Sequence, residues 1–194
     1  MNRKDNNWQL LQGWLRDDSE RMRALELAAG LALPQWCIGA GFVRNLVWDR
    51  LHVYREPTPL NDLDLVYYDP ADRSAERDRA LEQQLQAVSS LPFSIKNQAR
   101  MHQRSGRAPF TSCEDALSYW VELETAVAVS LSPTGALQLL APFGLQSLFA
   151  LELNHNPRHG DRTTFNRRVQ GKGWCERWPK LTIKEGCSPV GWHR

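Results

Sequence analysis

The chain has little cysteine: four residues in 194, at 37, 113, 175 and 187. They form no C-x-x-C pair and no zinc-like spacing with histidine, which argues against a disulfide framework and against a zinc module. The expectation is a reduced, zinc-free protein in which Cys37, inside an apolar segment, is a small core residue. His155 and His159 stand four apart, but Asn156-Pro157 between them breaks any helix that would align them. No apolar run approaches the roughly 20 residues of a membrane span. The polar start, Met1–Asn7, is not followed by the apolar region of a signal peptide. A cytoplasmic chain with no membrane partner is expected. Excess charge of one sign is also missing, since 24 Lys and Arg face 22 Asp and Glu.

What the chain does have is enough length for one domain, 1–194, with a sizeable core and ordinary apolar and charged contents of 42% and 24%. Within it, Asn61-Asp62-Leu63-Asp64-Leu65-Val66-Tyr67-Tyr68-Asp69 carries two carboxylates two residues apart in an apolar strand. Side chains at i and i+2 of a strand share a face. Asp62 and Asp64 therefore project together while Leu63 and Leu65 point away. Two like charges side by side are costly unless a cation neutralises them or one binds a proton. Mg²⁺ is often held by one or two carboxylates plus substrate phosphates. A D-x-D triplet also arises by chance at strand ends, so the upstream segment matters.

That segment is Trp36-Cys37-Ile38-Gly39-Ala40-Gly41-Phe42-Val43-Arg44-Asn45-Leu46-Val47-Trp48-Asp49-Arg50-Leu51. It reads as an apolar strand, a turn of small residues, then a helix with apolar positions 43, 46, 47 and 51. Gly39 and Gly41 permit tight turns and close approach of a ligand, and free amides at a helix start suit a phosphate. For the glycines alone, a plain strand-to-helix turn explains as much.

Together these segments resemble the DNA polymerase β-like nucleotidyltransferase superfamily, which carries a G-[GS] turn, a helix and then a D-x-[DE] strand. The G-G-x-V-R-D-L-L of CCA-adding tRNA nucleotidyltransferases aligns with Ala40–Val47, and their D-I-D-I strand with Asp62–Leu65. Lys96–His102 and Ala141–Leu145 look like signatures of a small bacterial nucleotidyltransferase branch, and the resemblance runs from about Trp36 to about Leu181. It implies an α/β (α+β) fold, a mixed sheet flanked by helices. The implied chemistry is Mg- (or Mn-) dependent transfer of a nucleoside monophosphate from an NTP to a hydroxyl acceptor: RNA, protein or small molecule. By the same resemblance Asp62 and Asp64 would be catalytic and bind metal. Gly39, Ala40, Gly41, Arg44, Asn45, Lys96 and Asn97 would bind the nucleotide; Arg44 also reads as an ordinary helix-surface arginine.

The sequence departs from that pattern twice. Ala40 replaces the first glycine, a mild change by size alone. The third carboxylate expected on a neighbouring strand is missing from Phe93-Ser94-Ile95-Lys96-Asn97. Asn97 stands where it would be expected; Glu122 or Glu124, before the strand Thr125–Leu131, are the other candidates, and both also read as surface glutamates. Two further readings therefore stand beside the enzyme: a catalytically degenerate domain that binds a nucleotide or RNA, and a protein-interaction module on the same fold.

The remaining elements are coarser. Ser19 caps a helix to about Ala32, and Arg55–Leu60 is an extended loop. Asp72–Ser90 is a charge-dense helix read as a solvated face. Helical turns are expected at about Gln98–His102 and Cys113–Tyr119, with short helices after Gly144 and near Arg162–Gln170. Thr125–Leu131 and Ala136–Leu140 form a hairpin about Ser132–Gly135. Lys96, Arg100, Arg104 and Arg107 make a basic group near the expected site, where His102 is a further candidate contact. From Arg158 onward, nine Lys and Arg face three acids and are interleaved with Trp174, Trp178 and Trp192. Such a tail could bind phosphates and stack bases, or simply pack its tryptophans onto the core.

Overall fold

The computed structural model describes residues 3–184; Cys187 and Trp192 lie outside them, as does the side chain of Arg104. Strands β1 (Cys37–Gly39), β2 (Leu63–Tyr67), β3 (Phe93–Asn97), β4 (Ala128–Leu131) and β5 (Leu137–Leu140) form a mixed sheet in the order β3-β2-β1-β4-β5. β1 is antiparallel to β2 and β4, and β4 to β5. β2 and β3 are parallel, so their connection must cross over, and helix α4 (Ala75–Gln86) makes that crossing.

Period-two alternation sorts the two faces of the sheet. Ile38, Leu63, Leu65, Tyr67, Phe93, Ile95, Val127 and Val129 join the main core, with Leu11, Leu15, Leu25, Val43, Val47 and Leu85 from the helices. Cys37, Val66 and Ala128 point the other way, against Cys113, Leu117 and Trp120. Asp64 is in phase with Val66, which puts its carboxylate on the face that the main helical layer leaves uncovered, while Asp62 stands one residue before β2 and not inside the strand as expected. Among the described residues, no helix is long and apolar enough to cross a membrane.

Helix α1 (Arg3–Arg16) has no counterpart among the sequence expectations because its first turn is polar throughout. The spacing of Trp8, Leu11 and Leu15 nevertheless marks an apolar stripe; Leu11 and Leu15 are fully buried. Trp14 stacks on Phe149 with centroids 5.5 Å apart. Helix α2 (Ser19–Gly30) is capped by Asp18, not Ser19, through the Arg21 amide at 2.9 Å. Helix α3 is Gly41–His52. α4 is shorter than expected and is no solvated rod. Asp78 is buried, accepting hydrogen bonds from Tyr67 Oη (2.8 Å) and the Asn97 amide (3.3 Å) and pairing with Arg100. Glu82 binds Lys96 Nζ (2.8 Å) and the Ile95 amide (2.7 Å). These acids clamp the helix onto edge strand β3, while the Arg79–Glu76 pair stays in solvent.

A 3₁₀ helix (Gln98–Ser105), α5 (Cys113–Leu117), α6 (Gln146–Phe149), α7 (Arg162–Gly171) and α8 (Trp174–Arg177) follow, with a small parallel pair β6 (Glu152–Asn154) and β7 (Thr182–Lys184). Trp174 and Trp178 are core residues. They meet Trp48 of α3 edge-on, at 6.1 and 5.0 Å. Buried Asp49 joins three segments, accepting from the Thr58 amide (2.7 Å), Thr58 Oγ1 (2.8 Å) and Trp178 Nε1 (2.8 Å). Loop and tail are thus fixed on one carboxylate beside a hollow that both line.

Candidate active site

That hollow is a cavity of about 440 Å³. Ala40, Gly41, Arg44 and Asn45 line it from the turn and α3, Thr58–Asp62 from the loop, and Asp64 from β2. Arg168, Lys172, Trp174, Arg177 and Trp178 complete it from the C-terminal region. Asp62 is exposed and Asp64 half-buried. Neither carboxylate has a hydrogen-bond or ion-pair partner among the described residues. Burial, and then the charge of Asp62, push the Asp64 carboxyl above its ordinary value, against the pull of Arg44, Arg168 and Lys172. A half-buried acid kept beside a second acid, with nothing bonded to either, fits a small hard cation with open coordination positions. Among the described residues, no group of three or more His, Cys, Asp or Glu gathers to form a metal cage.

The turn before α3 meets the pair from the side. Gly39 lies opposite Asp64 in register, next to Ala128. A Cβ there would come within 3.1 Å of Ala128 Cβ and 3.2 Å of the Trp120 ring, so Gly39 serves strand and indole packing; it does not line the cavity. Ala40 does, at φ 53° and ψ −124°. An L-residue pays about 1–3 kcal/mol there, so the alanine is a larger departure than its size indicates. Ala40→Gly should stabilise the protein by a net ~0.5–1 kcal/mol after the glycine's added unfolded-state entropy. Thermal denaturation reads this as a Tm rise of roughly 1–4 °C; a fall would show that the Ala40 methyl is needed for packing. No side chain caps α3, which leaves its first-turn amides facing the cavity end as an anion site.

Arg44 is no surface residue. Its guanidinium lies 5.0 Å from the Trp48 ring and 4.5 Å from that of Trp174, donating to Thr125 Oγ1 (2.9 Å) and Asn45 Oδ1 (3.1 Å). Burial draws its pKa down to about 10, so it is charged at neutral pH. Glu122, completely buried, accepts Arg168 Nε (2.6 Å) and Nη2 (3.2 Å) and Thr125 Oγ1 (2.8 Å). One carboxylate thereby orients both arginines, directly for Arg168 and through Thr125 for Arg44. Both oxygens of Glu122 are engaged and it does not line this cavity, so it serves as an anchor for the two cations. Glu122→Gln removes one charge-assisted bond; nucleotide affinity measured by calorimetry should fall about tenfold, ~1.4 kcal/mol.

The other candidates for a third ligand are also committed elsewhere. Asn97 pairs with Tyr67 on the core face, not with Asp64. Its Oδ1 accepts from the amides of Asp69 (3.1 Å) and Ala99 (3.0 Å), and its Nδ2 donates to the carbonyls of Asp69 and Asp72, both at 2.8 Å. It ties off β3 and the loop before α4, and it does not line the cavity that holds Asp62 and Asp64. Glu124 binds Asn154 through both oxygens, and burial raises its carboxyl. Lys96 shares the Asp64 face but is ion-paired to Glu82. Arg100 is spent on Asp78, and Arg107 donates to the carbonyls of Arg158 (3.1 Å) and His159. His102 is buried, edge-on to Phe110.

The sequence reading did not single out Asp49, Thr58 or Thr125. Little in their local pattern marks them, because Asp49 meets Thr58 and Trp178 from 9 and 129 residues away and Thr125 meets Arg44 from 81. Arg168 and Lys172 did carry a signal, the basic and aromatic run 165–174.

No curated protein matches the chain significantly. A structural relative is a protein whose NMR structure is described as revealing a CCA-adding enzyme head domain: 28% identity, 91% of this chain and 95% of that one covered, TM-score 0.80. A CCA-adding enzyme in complex with CTP (18% identity, TM-score 0.57) and one with ATP (14%, 0.58) share the fold. They cover 91% and 90% of this chain, which spans only 43% and 42% of theirs. The sequence itself matches the nucleotidyltransferase family over residues 26–183, most of its length. With its mixed sheet and helical flanks, the chain belongs to the nucleotidyltransferase family and has the fold of a CCA-adding enzyme head domain.

Proposed function

We propose that the protein is a cytoplasmic enzyme that transfers a nucleoside monophosphate from an NTP to a hydroxyl acceptor. The observation that carries this reading is the unpartnered Asp62–Asp64 pair in a cavity lined also by four cations, Arg44, Arg168, Lys172 and Arg177, beside an uncapped helix start. Four cations and two acids suit a polyphosphate delivered with a divalent ion. Asp62 and Asp64 would hold Mg²⁺ or Mn²⁺, which when bound neutralises the phosphates and polarises the phosphorus under attack. The α3 amides and the fixed fork of Arg44 position the triphosphate; Arg168, Lys172 and Arg177 match the charge that builds on the leaving group. The acceptor oxygen forms a bond to the α-phosphorus as its bond to the β-phosphate oxygen breaks; pyrophosphate leaves and the hydroxyl proton passes to solvent.

A second reading, nucleotide binding without turnover, draws support from the lack of a third free carboxylate at the pair. Incubation with each α-labelled NTP, Mg²⁺, and RNA, protein or small-molecule acceptor pools separates the two. Label in one pool, absent with Asp64→Asn, is expected. Bound nucleotide without transfer would favour the second reading, and no bound nucleotide would contradict both.

A further inference from the structure

A second cavity, also about 440 Å³, adjoins the first on the uncovered face of the sheet. The two share Ala40, Asp64 and Arg168, so Asp64 stands where they meet. The floor of the second is Val66 of β2 with Ser94 and Lys96 of β3. Gln98 and Met101 wall one side, Tyr119 and Trp120 another.

We propose that this second cavity is the acceptor site and that the acceptor is a small ring-bearing alcohol, uncharged or singly anionic. This rests on the transfer reading above. A reaction between two substrates at one metal platform needs two hollows meeting at the carboxylates, one for each, and the molecule has such a pair. The volume is that of a small-molecule site. Its aromatic and thioether walls favour a flat ring: Trp120 lies against Gly39, and Met101 offers a polarisable sulfur. The polar groups at the floor are few. Ser94 Oγ has no partner among the described residues, and Gln98 uses its amide nitrogen on the Lys96 carbonyl (3.1 Å). That set can orient one hydroxyl-bearing edge.

Charge narrows the class. Asp64 is the one acid in the lining and belongs to the metal platform, so a cationic acceptor finds no counter-ion. Lys96 is already paired with Glu82, and Arg168 is shared with the first cavity, where it would face the triphosphate, so a polyanion in the second gains little. The far wall is braced. Arg107, beyond the 3₁₀ helix, donates to the carbonyls of Arg158 and His159, and the guanidinium groups of Arg107 and Arg158 lie 4.7 and 4.4 Å from the Tyr119 ring. His159 Nδ1 is bonded to the Tyr119 carbonyl (3.0 Å). This bracing ties the segment after the 3₁₀ helix to residues 158–159 behind Tyr119 and fixes that ring as a wall. The acceptor oxygen enters from this side, bonds to the α-phosphorus, and pyrophosphate departs through the first cavity.

Amide shift mapping of the ¹⁵N-labelled full chain tests this, with Mg²⁺ present and two additions kept separate. Each NTP should shift Gly41, Arg44 and Asp62. Millimolar nucleosides and phenyl glycosides, as probes, should shift Val66, Ser94, Met101 and Trp120. Ser94→Trp, which fills the cavity, should abolish the second set, and Met101→Ala should weaken it several-fold. Ring compounds that bind nowhere or only in the first cavity overturn the acceptor assignment while the NTP shifts stand, as would RNA moving Ser94 and Met101 where no small compound does. Loss of the NTP shifts would instead remove the transfer reading itself.

Discussion

Asp64→Asn should abolish nucleotidyl transfer while making the protein more stable. The loss of activity, at least about 10²–10³-fold, is the scale of removing one preorganised charge-stabilising group from a reacting centre. The gain in stability has its own cause: Asp64 is half-buried beside Asp62 with no bonded partner, so its charge is a cost in the absence of metal. The sign follows from linkage. The carboxyl's folded-state pKa lies above its unfolded value, so the folded protein holds the extra proton between the two. Its favourable contribution is complete below the ordinary aspartate pKa and is lost as pH rises through the raised value. The asparagine does not titrate, so with EDTA present the variant's advantage should grow as pH rises through the raised Asp64 value and then level off, with a Tm a few degrees higher on that plateau. A variant less stable at pH 7 in EDTA would mean that Asp64 has a structural role.

Asp49→Ala should be the most destabilising of the changes considered. It strands the Thr58 amide, the Thr58 hydroxyl and Trp178 Nε1, at positions 8% and 2% exposed. Each buried donor left unsatisfied costs about 1–3 kcal/mol. Allowing for water reaching the Thr58 hydroxyl, the sum is ~3–5 kcal/mol, a Tm fall of roughly 6–20 °C. Because Asp49 fixes both the loop and the tail that line the first cavity, affinity for NTP should fall with stability. Denaturant unfolding and nucleotide titration on the same variant check both. A loss below about 1 kcal/mol would mean that the tail holds its place without Asp49.

Individual strands, the D-x-D triplet and the glycine turn were legible because each is a local pattern; the strand order β3-β2-β1-β4-β5 was not. Phe93–Asn97 was bounded correctly, and the hairpin about Ser132–Gly135 followed from its turn residues. What the sequence could not order was the distribution of charge. Glu122 reads as a surface acid and is completely buried, because its partner Arg168 comes from 46 residues later. Asn97 is one residue out of phase with the Asp64 face, and strand phase, not residue type, decides its part. Asp78 and Glu82 look like solvated helix acids until β3 is laid beneath them. Ala40 shows the converse: its small size reads as harmless, and only the positive φ reveals the cost. The tail divides between both sequence readings, with Trp174 and Trp178 in the core and Arg168, Lys172 and Arg177 on the cavity wall.

The most direct test of the central claim, that Asp62 and Asp64 form a metal platform for a triphosphate held by the cationic wall, is calorimetric titration of each NTP into wild type and into Asp62→Asn/Asp64→Asn, with Mg²⁺ and with EDTA. Wild-type binding should tighten with Mg²⁺ by about a hundredfold, ~2.7 kcal/mol, and the double variant should show no such gain. Equal affinity in all four titrations would contradict the claim.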